Sequence, residues 1–178
     1  SLQGPPGTGK TTVTGELIAR LIDKNQRIVV SSQTHEAINN LLKSVQRNAE
    51  SLSSTPFVVK LSSGTSEKSD QRSLSGTKVQ ALRENDLNSK VNVLGATVFS
   101  LVKERFGEKP YDLLVVDEAG QVSLSNLLFM SHCARNILLV GDQNQLSQPN
   151  RAKHPGESGL SCLEYVMGEE KVVPFNKG

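Results

Sequence analysis

The sequence predicts an α/β domain built on a mostly parallel sheet with helices on both faces. Three observations carry this. Short β-branched runs alternate with helical stretches along the chain. Those runs are apolar throughout, the pattern of strands covered on both sides. A glycine-rich turn, Gly4 to Thr11, leads directly into a helix with apolar residues at 13, 17, 18, 21 and 22. At 178 residues and 19.3 kDa, residues 1–178 have room for one domain. Because Ser1 opens straight onto the glycine-rich turn, without Met or a basic and apolar leader, we expect a piece truncated at both ends.

Composition narrows the classes. A hydrophobic share of 36% with 21% charged residues excludes a chain disordered throughout. No run approaches the roughly 18–20 apolar residues that cross a bilayer, so no membrane partner is expected. Twenty basic against 18 acidic side chains leave a net charge of +2, too small to argue for nucleic acid alone. Cys133 and Cys162 form no disulfide framework and lack C-x-x-C spacing. With His132 and His154 nearby a metal site is conceivable, but core thiols and surface imidazoles are the expectation. The setting is then cytoplasmic, or nucleoid-associated in a bacterium. Aromatics are 4%, so base-stacking platforms are scarce.

The elements follow in order. Ile28-Val29-Val30 reads as a strand and is followed by a helix whose Ala37, Ile38, Leu41, Leu42 and Val45 share one face. Residues 51–75 hold nine serines and one apolar run, Phe57-Val58-Val59, read as a strand flanked by mobile loop. The wider stretch 51–90 is expected to be an insertion or mobile segment. From Lys43 to Lys90 eight basic and five acidic side chains form either a solvated surface or a phosphate-facing rim. Leu113 to Val116 is a strand, followed by a helix carrying Leu124, Leu127 and Leu128, and Ile137 to Val140 is a third such run. No internal repeat or heptad is present.

The chemistry sits at the strand ends. Gly4-Pro5-Pro6-Gly7-Thr8-Gly9-Lys10-Thr11 matches G-x-x-x-x-G-K-[ST] without a mismatch. Glycines let successive backbone N–H groups turn inward around a phosphate, and the helix start adds its positive end. Lys10 can reach the β- and γ-phosphates, and the Thr11 hydroxyl can hold Mg²⁺. The phosphate-binding set is therefore Gly4, Pro5, Pro6, Gly7, Thr8, Gly9, Lys10, Thr11 and Thr12. Asp117 and Glu118 follow the second strand, where α/β sheets place ligands. Asp117 would coordinate Mg²⁺, and Glu118 would orient the water that attacks the γ-phosphate. Adjacent acids there also serve as helix caps. Gly141-Asp142 reads as a turn, and Gln145 beyond it as a sensor of the γ-phosphate.

Together these runs resemble motifs I, II and III of superfamily 1 helicases. Asp117-Glu118-Ala119-Gly120-Gln121 with Gln3 to Thr11 is most similar to the subgroup containing the nonsense-mediated-decay RNA helicase and related bacterial DNA helicases. Ser31 to Asn40 looks like motif Ia, and Val93-Leu94-Gly95-Ala96-Thr97 like a later motif that touches the strand. The resemblance implies a RecA-like P-loop ATPase domain using ATP and Mg²⁺, the first of two such domains that clamp single-stranded nucleic acid. The motifs do not separate DNA from RNA, DNA being the favoured expectation, and the subgroup implies 5′ to 3′ travel. By similarity Ser32, Thr34, His35 and Thr97 face the nucleic-acid backbone, although Thr34 serves equally well as an N-cap. Leu146-Ser147-Gln148-Pro149 departs from the family's proline pair, which leaves strand contacts after Gln145 open. The adenine-reading glutamine and the arginines of later motifs lie outside these residues, so the isolated piece is expected to be nearly inactive. The alternative is an ATP-gated clamp or remodelling module that does not separate strands. A kinase or GTPase is disfavoured by Glu118 and by the lack of an Asn-Lys-x-Asp segment.

Overall fold

A computed structural model describes residues 1–5, 7–50, 52, 55–62, 66–87, 90–103, 110–142 and 160–167. Its centre is a seven-stranded sheet in which every pairing is parallel. The strands are β1 (Leu2–Gln3), β2 (Ile28–Ser31), β3 (Val58–Leu61), β4 (Gln80–Leu82), β5 (Val93–Gly95), β6 (Tyr111–Val116) and β7 (Ala134–Gly141), in the order β1-β7-β6-β2-β5-β3-β4.

Parallel neighbours need crossovers, and the connecting helices cover both faces. The helices are α1 (Lys10–Asp23), α2 (His35–Ala49), α3 (Glu67–Ser73), α4 (Val98–Lys103), α5 (Leu124–Ser131) and α6 (Cys162–Met167). Successive strand residues point to opposite faces, so each strand feeds two cores. Ile28 and Val30 of β2 pack with Ile18 and Ile22 of α1 and with Ile38, Leu41, Leu42 and Val45 of α2. Val29, between them, packs on the other side with Leu101 of α4, Leu127 and Met130 of α5, and Leu163 of α6. Both cores need apolar residues at consecutive positions, which is why β2 and the end of β6 read as unbroken apolar runs.

Several expectations need correction. The serine-rich window is not only a strand between loops: it holds α3, and β3 lies inside the sheet between β5 and β4. Its polar Lys60 is wholly buried. On α1, Val13 and Leu17 are exposed, and Thr14, Gly15 and Ala19 join Ile18 and Ile22 in the interior. Leu128 of α5 is exposed too, and so are Arg135, Asn136 and Ile137 at the start of β7. On α1 the interior stripe holds small residues because α2 lies close: a Cβ on Gly15 would run into the Ser44 side chain.

Candidate nucleotide site and its link to helix α2

The C-terminal ends of β1, β7 and β6 meet at one edge. The turn after β1 is shaped by Gly7 and Gly9 at φ 79° and 82°, a left-handed conformation that other residues adopt reluctantly. Gly4 allows a close approach: a Cβ there would stand 2.8 Å from Thr8 Oγ1. Thr8 donates its hydroxyl to Pro5 O at 2.8 Å, which closes the turn. Gly9 is the N-cap of α1, so the first free N–H groups of that helix open onto the loop. Lys10 Nζ donates to Gly4 O and, at 2.8 Å, to Pro5 O, which places the ammonium inside the turn.

A cavity of about 450 Å³ joins this turn to the acidic strand end. Gly7, Gly9, Lys10 and Thr11 line one wall, and Asp117, Glu118, Gly141 and Asp142 line the other. Gly4, Pro5 and Thr8 form the turn behind it, and Thr12 is exposed on the first turn of α1. Pro6 and Gln145 lie outside the described residues.

Asp117 is buried, and burial pushes its carboxyl above the ordinary carboxylate range, with the Lys10 charge pulling partly back. Its Oδ1 accepts the Glu118 N–H at 3.0 Å. Glu118 sits at φ 54°, ψ 39°, a left-handed conformation that is uncommon for a residue with a Cβ. Among the described residues no group of three or more His, Cys, Asp or Glu gathers as a metal cluster. A site with one carboxylate and one hydroxyl suits Mg²⁺, which keeps several water and phosphate oxygens among its ligands.

Of the residues assigned by resemblance to the nucleic-acid backbone, Ser32, Thr34 and His35 lie together between β2 and α2, and Thr97 follows β5. Ser32 is fully buried, and its hydroxyl donates to Glu118 Oε2 at 3.2 Å. Thr34 is exposed and caps α2, accepting the Ala37 N–H at 3.1 Å. Thr97 stands before α4 with its hydroxyl 3.1 Å from Ser100 Oγ. His35 is half-buried, with Nδ1 3.3 Å from Lys60 Nζ and 3.4 Å from Asp70 Oδ2.

That last contact belongs to a cluster the sequence reading missed. Lys60 of β3 and Asp70 of α3 are buried with Nζ and Oδ2 3.6 Å apart. Asp70 accepts from Ser62 Oγ at 2.7 Å and from Asn39 Nδ2 at 3.1 Å, and Lys60 donates to Leu61 O at 2.8 Å. Burial raises the Asp70 carboxyl, but those two hydrogen bonds and the Lys60 and His35 charges together hold it below its usual range. Lys60 is pushed down by burial, which outweighs the attraction of Asp70. Also missed were Ala37 and Asn40 of α2, which line the outer side of the nucleotide cavity. With Ser44, which donates to Thr11 O at 3.1 Å, they share one α2 face at i, i+3 and i+7. That small, polar stripe was the available signal.

Cys133 and Cys162 are free, buried thiols, both pushed up to about 12 by burial. No helix among the described residues is long and apolar enough to cross a membrane.

Comparison with known proteins agrees with this geometry. The chain is 30% identical over 148 residues to the DNA replication ATP-dependent helicase/nuclease DNA2 of Saccharomyces cerevisiae, covering 80% of this chain and 9% of that protein. It is 28% identical over 174 residues to the Schizosaccharomyces pombe protein of that name, covering 94% and 12%, and 28% identical over 145 residues to the Homo sapiens one, covering 80% and 14%. The chain thus spans a small part, 9% to 14%, of these relatives' lengths. A solved helicase, PRRSV nsp10, aligns at 17% identity and TM-score 0.42 over 86% of this chain and 27% of that one, too distant to inform the site. Residues 1–154 match the AAA domain family, and with its phosphate loop, its parallel sheet and its helicase relatives, the chain belongs to that family.

Proposed function

We propose that this chain is a superfamily 1 motor domain that couples hydrolysis of Mg·ATP to movement on single-stranded nucleic acid, with DNA preferred over RNA. The observation that supports this most directly is the convergence of Lys10, Thr11, Asp117 and Glu118 on one cavity. Phosphates enter the glycine turn, where backbone N–H groups and the α1 N-terminus meet their charge. Lys10, now on two loop carbonyls, has stronger acceptors in the β- and γ-phosphate oxygens. Thr11 and Asp117 would hold Mg²⁺, which when bound neutralises charge on the phosphate oxygens. Glu118 orients a water against the γ-phosphorus. As the new P–O bond forms, the bond to the β–γ bridging oxygen breaks, ADP leaves with the electron pair, and the water's proton passes to Glu118.

Thr34, at the exposed start of α2, and Thr97, beside α4, offer hydroxyl donors suited to phosphate oxygens, which position a strand without reading its sequence. The names of the DNA2 relatives support DNA as the track, and the partner would be a second RecA-like domain of the same protein. The test is the ATPase rate of the intact protein with single-stranded DNA and RNA compared at matched salt. Stimulation by DNA above RNA is expected. A rate indifferent to either polymer would remove the motor assignment, and an unwinding assay separates a helicase from an ATP-gated clamp.

A further inference from the structure

We infer that Asn40 of α2 is a nucleotide-contacting residue, its side-chain amide donating to the terminal phosphate of ATP and so distinguishing triphosphate from diphosphate. The inference rests on the motor reading above and adds to it a specificity-determining side chain on a second helix.

The roll of α2 about its axis is fixed from two sides. Asn39 is buried and donates to Asp70 Oδ1 at 3.1 Å. On another side the Ser44 hydroxyl donates to Thr11 O at 3.1 Å, and Ser44 packs where a Cβ on Gly15 would stand. Asn40 lies four residues before Ser44 on the same face, about 6 Å along the helix. It therefore stands one turn nearer the start of α2 than the contact with Thr11, and there it lines the cavity together with Asp117 and Glu118. Ala37, a further turn on, lines the same wall but has no polar side-chain atom.

That lining is short of donors. Its charged side chains are one cation, Lys10, and three acids, Asp117, Glu118 and Asp142. A γ-phosphate brings more negative charge, spread over three acceptor oxygens. Among the described side chains of the lining, those of Lys10, Thr11 and Asn40 carry donors, and the motor reading commits Thr11 to Mg²⁺. Asn40 is exposed, and among the described residues its amide makes no hydrogen bond, so both Nδ2 hydrogens face the cavity without a partner. A second cation would attract ADP and ATP alike at a distance. A neutral amide acts only at contact. With ADP the last phosphate rests in the glycine turn and the amide is left to water.

The test is nucleotide affinity of the intact protein with Mg²⁺, by competition of β,γ-imido-ATP or ADP against a fluorescent ADP, for wild type, Asn40→Ala and Asn40→Asp. Asn40→Ala is expected to weaken the ATP analogue about tenfold, the scale of one hydrogen bond to a charged group, and to leave ADP within about twofold. Asn40→Asp, nearly the same shape but with a carboxylate towards the phosphate, weakens the analogue at least as much. The melting temperature of unliganded Asn40→Ala stays at or above wild type, because the amide has no protein partner to lose and alanine is the better helix former. Equal loss of analogue and ADP affinity in Asn40→Ala, or loss of neither, overturns the inference. So does Asn40→Asp binding the analogue more tightly than Asn40→Ala. Failure of the underlying reading looks different: wild type itself does not bind the analogue, or Lys10→Ala binds it as wild type does.

Discussion

Removing the Asp70 carboxylate tests how the nucleotide half and the serine-rich half of the domain are held together. In Asp70→Ala, Lys60 loses a partner 3.6 Å away and keeps only Leu61 O and the His35 ring. Ser62 and Asn39 lose their acceptor, and Asn39 Oδ1 already lacks a hydrogen-bond donor. Stripping one member of a buried ion pair costs about 3–5 kcal/mol, chiefly because the other charge is left in a dry interior. For a domain of this size that lowers the melting temperature by about 6–20 °C. The contribution of His35 is discounted, since its side chain is 42% exposed and solvent screens it. Urea unfolding of Asp70→Ala, Lys60→Met and the double variant measures it. The double variant is expected to recover part of the loss, because no charge is orphaned. A single-variant loss below about 1 kcal/mol, or a double variant equal to the sum of the singles, would refute the reasoning. The pH dependence carries the same signature. With its folded value lowered, Asp70 contributes stability above the ordinary carboxylate range and loses it as pH falls through that lowered value. Lys60 acts in the same direction in a more alkaline window: held down by burial, it lets stability rise with pH where the folded lysine sheds its proton before the unfolded one.

Glu118→Gln is expected to bind ATP as wild type does and to hydrolyse it about 10²–10⁴-fold more slowly, read by single-turnover assay. Asp117→Asn removes a carboxylate that burial destabilises, so the unliganded protein should melt higher while losing its Mg²⁺-dependent gain with ATP; scanning calorimetry checks both. Cys133 and Cys162, buried and pushed up to about 12, should resist iodoacetamide at pH 8 until urea unfolds the chain, as followed by mass spectrometry. Gly15→Ala would drive a methyl into the Ser44 side chain and costs about 1–3 kcal/mol, with Ser44→Gly recovering only part of the loss in an unfolding titration, since the Ser44 backbone stays close and a glycine weakens α2.

What could be read from sequence was what local physics dictates. Gly7 and Gly9 are needed because the turn requires positive φ, and β2 reads as a strand because both of its faces are covered. Asp117 and Glu118 were legible because a strand end fixes where the next two side chains stand. Lys60 and Asp70 were not, because a lysine in a serine-rich stretch looks solvated and its partner lies on another element. Ser32 was assigned to a polymer by resemblance, yet its packing beneath Glu118 depends on the β2–β6 register, which no single stretch of sequence encodes. Val13 and Leu128 misled because hydrophobicity alone does not say which side of a helix meets a neighbour.

The glycine turn hangs from β1, two residues at the rim of the sheet whose one neighbouring strand among the described residues is β7. One further backbone bond, Gly4 N–H to Gly141 O at 3.3 Å, continues that pairing into the turn. The phosphate cradle is thus moored to β7 on the strand side and to α1, itself tied to α2 through Ser44 and Thr11 O, on the other. A displacement at Gly141 is therefore felt by the cradle through the Gly4 N–H bond and by β6 through its pairing with β7.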